Sequence, residues 1–194
     1  MTRLLSCIAL LLALAGCGPI YSAIAKGGEG VRDFEVVQGD LSLLRPGANL
    51  LVLGPFDRTD QAYYIAKGED ASQFAARFEE SGFQNAELHI ERQFDKLEET
   101  ATLMRGKSAE SLKDDYGLSA APDTILFGTI VHRGPVTVVP FRAVMPVTYR
   151  LEFYDVSSQS SAIVEVRVKM RYEEIIPAIV EETIRRSGQG STAG

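Results

Sequence analysis

The chain has 194 residues and a net charge of −6, and 45% of its residues are hydrophobic, which suffices for one domain with its own core. Its Lys and Arg residues form no cluster that could follow a phosphate backbone, so nucleic-acid binding is not expected. Both cysteines, Cys7 and Cys17, stand near the amino terminus and leave the remainder without a thiol for disulfide, catalytic or metal chemistry.

The amino terminus has the pattern of an export signal. Arg3 precedes the apolar run 4–15, which is shorter than the roughly 20 residues that a membrane-spanning helix needs. The string Leu14-Ala15-Gly16-Cys17 at its end resembles the lipobox of bacterial lipoproteins. The resemblance implies a signal peptide over residues 1–16, cleavage between Gly16 and Cys17, and acylation of Cys17, with palmitate among the acyl chains. The alternatives are a plain secretory signal or a free thiol.

The segment after this cysteine predicts a short connection to the domain. Residues 17–30 are rich in glycine and small side chains and predict a flexible tether with a root-mean-square reach of about 20 Å. In lipoproteins, an aspartate after the cysteine is associated with retention in the inner membrane, and this chain has Gly18 instead. The resemblance therefore implies a protein of the outer membrane that faces the periplasm, held there by several acyl chains.

The first half of the domain predicts a β-α-β unit. After a short edge strand expected around residues 34–37, the apolar run 50–53 predicts a strand buried on both faces. Asp70 predicts the N-cap of a helix, and Gln73 completes a capping box. The alternation over residues 86–91 predicts a half-exposed strand parallel to the first.

The next segments predict two short helices and three strands. Gly106 divides the helical pattern of residues 96–116 into two pieces. Residues 124–132 predict a mostly buried strand. Two alternating stretches, 147–154 and 164–171, predict a hairpin with one face in the core and the other in solvent.

The last helix is expected to open with Pro177 near its first turn and to end before Gly188, and residues 188–194 predict a disordered tail. The sequence therefore predicts one α/β (α+β) domain over residues 31–187. Its elements follow the order β-α-β-α-β-β-β-α, with a mixed sheet of about five strands and helices packed on the sheet.

This order and three strings resemble a group of periplasmic lipoproteins that includes the TolB amino-terminal domain, the curli-assembly lipoproteins and the activators of penicillin-binding proteins. The strings are Leu-Val-Leu-Gly-Pro-Phe at 51–56, Thr-Ile-Leu-Phe-Gly-Thr-Ile at 124–130 and Phe-Tyr-Asp-Val-Ser-Ser at 153–158. They are core and turn patterns, so the resemblance implies a fold more than a function. No loop offers the pair of membrane-crossing strands found in curli-type pores, and the tether is shorter than that of the activators.

The stretch 134–146 is unusually apolar for a connection between two strands. Exposed apolar surface of this kind often marks a contact with a partner or a membrane. In the alternative interpretation, its valines extend the sheet and the remainder forms a wide turn on the core. The candidate partner surface consists of Val138, Val139, Phe141, Val144 and Met145.

No catalytic or metal-binding constellation is recognised, and neither a cofactor nor a metal is expected. The only histidines, His89 and His132, fall on different strands. Adjacent carboxylates on a helix point about 100° apart and do not converge on one ion or bond. The pairs concerned are Glu79-Glu80, Glu98-Glu99, Asp114-Asp115 and Glu181-Glu182. The loop pair Tyr63-Tyr64 is a candidate contact for sugar or protein, with packing on its own domain as the alternative.

These observations predict a non-enzymatic outer-membrane lipoprotein whose periplasmic domain binds another envelope protein or its own copies. The expected contacts are the membrane, through acyl chains on Cys17, and an unidentified envelope protein or a second copy. Three alternatives remain open. They are a ring-forming secretion component of curli type, an activator of a peptidoglycan synthase and an envelope hydrolase.

Overall fold

A mixed β-sheet with helices on both faces forms the framework of the protein. The computed structural model describes residues 29–65, 69–139 and 142–190. The strands are β1 Gly30–Gln38, β2 Asn49–Gly54, β3 Asp57–Arg58, β4 Asn85–Ile90, β5 Thr124–Arg133, β6 Thr137–Val139, β7 Arg142–Asp155 and β8 Ser160–Met170. The helices are α1 Asp70–Glu80, α2 Leu97–Arg105, α3 Ala109–Tyr116 and α4 Tyr172–Gly190. Three short 3-10 helices cover Leu41–Leu43, Asp60–Ile65 and Phe94–Lys96.

The strands follow the order β1-β8-β7-β5-β2-β4, with β3 paired to β5 and β6 paired to β7. The predicted class and the parallel β-α-β unit are confirmed, since β2 runs parallel to β4 and α1 connects them. The expected edge strand is β1, and the predicted hairpin is β7 with β8.

The predicted count of about five strands is wrong, because the sheet has eight strands in the described part of the chain. Two of the additional strands, β3 and β6, have only two and three residues. Such short strands form because a neighbouring strand offers free backbone donors and acceptors at that place. No residue pattern marks β3 in the sequence, whereas β6 falls among the valines of the stretch 134–146 that one interpretation assigns to the sheet.

The larger core lies between the sheet and helices α1 and α4. The predicted apolar stripe of α1 is confirmed, and its two aromatic members meet aromatic residues of β7 edge-on. The ring centroids of Phe74 and Tyr149 are 5.5 Å apart, and those of Phe78 and Phe153 are 5.8 Å apart. All four side chains are less than 2% exposed. Edge-to-face aromatic pairs of this kind add about 0.5–1.5 kcal/mol each beyond the area they bury.

The smaller core lies on the opposite face, between α2, α3 and the strands β2 and β5. Leu51 and Leu53 of β2 pack here with Met104 and Leu112 of the helices, while Leu50 and Val52 point to the larger core. The prediction that β2 is buried on both faces is therefore confirmed.

The predicted division of the helical region is also confirmed. Gly106 ends α2 as its C-cap, and the backbone N–H of Ser111 donates to Oγ of Ser108, the N-cap of α3. Gly117 ends α3 in the left-handed conformation, with φ of 65°, which glycine adopts without strain.

Two helix starts differ from the prediction. Asp70 is not the N-cap of α1, because Glu69 takes that position and the Asp70 carboxylate turns inward to Arg133. Helix α4 begins at Tyr172, which makes Pro177 an internal residue of the helix rather than one near its opening turn. It also continues to Gly190, beyond the predicted end before Gly188, and residues 191–194 lie outside the described chain.

Gly128 of β5 provides a test of the larger core. A Cβ at this position would overlap the Phe56 ring, lying 2.5 Å from its Cζ, and Phe56 is held against Phe74 with ring centroids 5.2 Å apart. We expect Gly128→Ala to lower the free energy of unfolding by about 1–3 kcal/mol through overpacking. Urea denaturation followed by circular dichroism measures the change.

The matched control is Gly106→Ala, whose Cβ would meet only the Leu103 carbonyl oxygen, at 3.7 Å. Because φ at Gly106 is −85°, alanine fits there, and stability should stay equal or rise by up to about 1 kcal/mol. Equal stabilities of the two variants would contradict this account of the Phe56 contact.

Candidate functional site

The apolar stretch 134–146 forms a second hairpin in which β6 pairs with the start of β7. Thr137 lies opposite Val144 in this pairing, and Val138 lies opposite Ala143. The Val138 side chain is 82% exposed and that of Val136 is 52% exposed. We call residues 136–139 together with 142–144 the β6–β7 hairpin. Val138 and Val139 therefore belong to a strand, as one interpretation expects, and a contact with a partner at the exposed valines stays a prediction.

The structure divides the predicted partner surface. Val144 and Met145 are 2% and 3% exposed, and Met145 packs in the larger core, so these two side chains are not available on the surface. Met145 is buried because its side of β7 faces the larger core, whereas Val144, the preceding strand residue, points to the opposite face and is buried there. Val138 is exposed, whereas the side chain of Val139 and the whole of Phe141 lie outside the described residues.

A close backbone contact ties the base of this hairpin to the sheet. The N–H of Gly134 donates to the carbonyl of Pro146 at 2.9 Å. A Cβ at Gly134 would lie 2.6 Å from Cγ of Pro146, so only glycine permits this approach. The hairpin therefore leaves the sheet from a fixed point.

A buried ionic cluster lies beside this base. The Arg133 side chain, at the end of β5, is 0% exposed and donates through Nη2 to Oδ2 of Asp70 at 2.6 Å. The same nitrogen donates to the Tyr149 hydroxyl of β7 at 3.1 Å, and the Tyr172 hydroxyl donates to Oδ1 of Asp70 at 3.4 Å. The cluster joins the first turns of α1 and α4 to β5 and β7.

Burial determines the protonation of this cluster. Burial raises the pKa of Tyr149 far above its ordinary value, and the Asp70 charge acts in the same direction. Burial by itself disfavours a charged guanidinium, but Tyr149 and Asp70 outweigh it and raise the pKa of Arg133. At neutral pH the cluster thus holds a protonated Tyr149 and a charged Arg133.

A cleft of about 480 Å³ lies between α2 and the strands β5, β7 and β8. It is on the face of the sheet opposite the larger core, which we call the outer face. Ligand-binding clefts commonly fall in the range of about 300–1,000 Å³. Its apolar walls come from Leu53, Pro55, Phe94, Ala101, Phe127 and Ile163.

Arg105 organises the polar side of this cleft. Its guanidinium donates twice to Glu152, at 3.3 Å from Nε and 2.7 Å from Nη2, and lies 4.2 Å from the Phe127 ring centroid. Glu152 also accepts a hydrogen bond from Ser161 at 2.7 Å, and the Tyr154 hydroxyl donates to the Arg105 carbonyl. Sequence reasoning missed this arrangement, because Arg105 closes a helix and Glu152 lies 47 positions later on a strand.

The half of the outer sheet face next to the cleft is rich in charge. The side chains concerned alternate with the buried ones of β1, β7 and β8, and they are half-buried or exposed. Arg150 donates to Glu165 at 3.0 Å, and Asp33 lies opposite Arg167 in the strand register. We call this surface the open face. Its outward residues on these strands are Asp33, Glu35, Arg150, Glu152, Glu165, Arg167 and Lys169.

The histidines do not come together. His89 is half-buried on β4 and packs edge-on against Tyr116 of α3, with ring centroids 4.6 Å apart, while His132 is exposed on β5. Burial lowers the pKa of His89, against the opposing effect of Glu91, so the imidazole is neutral at neutral pH. In the ranges that the structure describes, no three His, Cys, Asp or Glu side chains are grouped to hold a metal ion.

The acidic pairs lie on helices as expected, and seven of their eight carboxylates are exposed. Glu182 is half-buried and accepts from Arg185 and Arg186. The side chains of Tyr63 and Tyr64 and the predicted lipidation and cleavage residues, Cys17 and Gly16, lie outside the described residues.

The helices of the described ranges are each too short or too polar to cross a bilayer.

No protein-family model and no curated protein matches the chain. Similar solved structures include a PelC dodecamer from Paraburkholderia phytofirmans, with 14% identity, a TM-score of 0.49 and coverage of 80% of this chain and 96% of that one. They also include lipoprotein GNA1162 from Neisseria meningitidis, with 16% identity, a TM-score of 0.37 and coverage of 73% and 99%. A hypothetical protein from Chlamydia trachomatis has 12% identity, a TM-score of 0.34 and coverage of 62% and 71%. Likenesses at this level do not extend to function.

The buried ion pair of Arg133 and Asp70 can be tested through the stability of the protein. Replacing Arg133 by Met leaves a buried Asp70 charge, and replacing Asp70 by Leu leaves a buried Arg133 charge. We expect each single change to cost about 3–5 kcal/mol of unfolding free energy. The double variant should cost less than the sum of the two, because it leaves neither charge alone.

Chemical denaturation of the four proteins, including the unchanged one, measures this double-mutant cycle. Replacing Glu80 by Gln is the control, because its ion pair with Arg77 lies on the surface with side chains 63% and 44% exposed. It should change stability by less than about 1 kcal/mol. Strictly additive costs for Asp70 and Arg133 would show that the two groups do not depend on each other.

Proposed function

We propose that the protein is a non-enzymatic lipoprotein, anchored in the outer membrane through Cys17, whose periplasmic domain binds another envelope protein or a second copy of itself. The string Leu14-Ala15-Gly16-Cys17 supports the anchor. The observation that carries the binding role is the cleft beside α2 together with the open face.

The cleft and the open face have the make-up of a protein interface. Interfaces commonly combine an apolar centre containing aromatic residues and arginine with a polar rim. Here Phe94 and Phe127 line the apolar part of the cleft, and Arg105 and Arg150 stand at its side, each already paired with a carboxylate. These pairs hold the guanidinium groups in position before a partner arrives, which reduces the entropy lost on binding.

The anchor and the surface act together. Residues 18–29 are the only chain between Cys17 and the first described strand, so the domain stays within tens of ångströms of its bilayer. A partner in the same membrane or in the adjacent periplasm is then met at high effective concentration. Recognition combined with tethering is thus the function that the molecule supports best.

The anchor is tested by Cys17→Ala in producing cells. We expect the variant to move from the outer-membrane fraction to the soluble periplasmic fraction and to lack the mass of the acyl chains. The matched control is Cys7→Ala, which changes a cysteine inside the predicted signal peptide and should leave both readouts as they are. A Cys17→Ala protein that still fractionates with the membrane would overturn the proposed anchor.

The binding surface is tested with a photo-crosslinking amino acid in place of Thr102, which lines the cleft and is exposed. The control carries it in place of Glu110, an exposed residue of α3. We expect a discrete adduct from position 102 and none from position 110, and its mass distinguishes a second copy from another protein. The same result at both positions, whether adducts or none, would contradict the proposed surface.

A further inference from the structure

The chain enters the sheet at the same end from which the β6–β7 hairpin emerges. Gly30, the first residue of β1, lies opposite Lys169 near the end of β8. Lys169 in turn lies opposite Pro146, and Met170 lies opposite Met145, at the start of the long shared ladder of β7. The residues of β7 that precede Met145 have no partner in β8 and pair with β6 instead.

The length of chain before Gly30 determines which end of the domain lies near the membrane. Residues 18–29 span at most about 40 Å when fully extended, and the predicted flexible tether has a root-mean-square reach of only about 20 Å. The opposite end of the sheet, at Ser160, is nine residues of β8 away from Lys169, or about 30 Å. Because the root-mean-square reach is shorter than the sheet, the tether favours poses in which the end with Gly30 and the hairpin is nearer the membrane.

The hairpin at this end exposes apolar side chains. Val138, at 82%, is more exposed than any other large hydrophobic side chain in the described ranges, and Val136, just before β6, is 52% exposed. The hairpin extends over three residue pairs, Thr137–Val139 against Arg142–Val144, or about 10 Å. Peripheral elements that bind a bilayer place their apolar side chains about 5–10 Å into its interface, which this length matches.

The base of the hairpin is held firmly enough to present these side chains. The hydrogen bond from Gly134 to Pro146 closes it, and the pair of Arg133 with Asp70 holds the preceding strand residue to α1. The backbone groups between β6 and β7 bond to each other, so the hairpin enters an apolar layer at lower cost than an unpaired loop would.

We propose that the β6–β7 hairpin docks onto the lipid bilayer, with Val136 and Val138 in its interfacial layer, and so sets the orientation of the domain. The inference rests on the proposed acylation of Cys17, which supplies the tether. The acyl chains hold the protein to the membrane, and the hairpin turns this flexible attachment into a defined pose. In that pose the open face stands to the side of the domain and stays accessible to a partner.

The experiment uses the full-length protein isolated from membranes and reconstituted in vesicles of phosphatidylethanolamine and phosphatidylglycerol. Val138→Cys provides a single thiol for a polarity-sensitive fluorophore, because Cys7 leaves with the signal peptide and Cys17 is acylated. The control is Ser160→Cys, exposed at the far end of the same sheet. Mass spectrometry of the amino-terminal peptide first establishes acylation of Cys17.

With acylated protein, we expect the label at position 138 to shift to shorter emission wavelength, to be quenched by a nitroxide lipid and to lose its quenching by aqueous iodide. The label at position 160 should keep its emission wavelength, escape quenching by the nitroxide lipid and be quenched by iodide. A label at 138 that iodide quenches as strongly as the one at 160 overturns the docking while the anchor stands. Protection from iodide without nitroxide quenching indicates a protein contact and also overturns it. An unmodified Cys17 in the mass spectrum would instead reject the anchor and, with it, the docking.

Discussion

The architecture depends on one strand, β7, whose 14 residues pair with three neighbours. Its ladder with β5 runs from Asp155 opposite Thr124 to Val147 opposite Arg133, and β8 holds its other edge. Alternate residues of β7 serve different purposes: Tyr149 and Phe153 complete the larger core, while Glu152 faces the cleft. A shift of one residue in this register would exchange the two sets, so both cores and the cleft require the same pairing.

The buried pair of Arg133 and Asp70 connects this strand arrangement to the helices. A buried ion pair contributes little net stability over an apolar pair, but either charge alone is costly. Alternative packings of α1 that separate Asp70 from Arg133 are therefore strongly disfavoured. Because the cluster lies beside Gly134 and Pro146, the same charges that position the helices also hold the base of the exposed hairpin.

The open face is a consequence of topology. Helices connect the parallel strands and cover both faces of β4, β2 and β5, as crossover connections require. The antiparallel strands β7, β8 and β1 have α4 on their inner face and carry charged residues on the outer face, where Arg150 and Glu165 pair across strands. The cleft forms at the border of the two halves, where α2 ends its coverage and Arg105 reaches Glu152. The polar open face and the apolar hairpin thus lie on different parts of the molecule, which allows one to meet a protein while the other meets lipid.

The sequence by itself determined the elements whose information is local. The apolar run of β2, the stripe of α1 that holds Phe74, and the breaks at Gly106 and Gly117 all follow from side-chain periodicity and from backbone conformations that glycine prefers. The string at residues 14–17 that resembles a lipobox is local in the same sense, and acylation of Cys17 stays a prediction. Only the tertiary structure decided that Asp70 pairs with Arg133 instead of capping α1, that β3 exists, and that Val144 is buried while Val138 is exposed. The physical reason is that Asp70 and β3 meet partners 60 or more positions away, which only the order of strands in the sheet brings together. The burial of a strand residue likewise depends on what covers its face of the sheet.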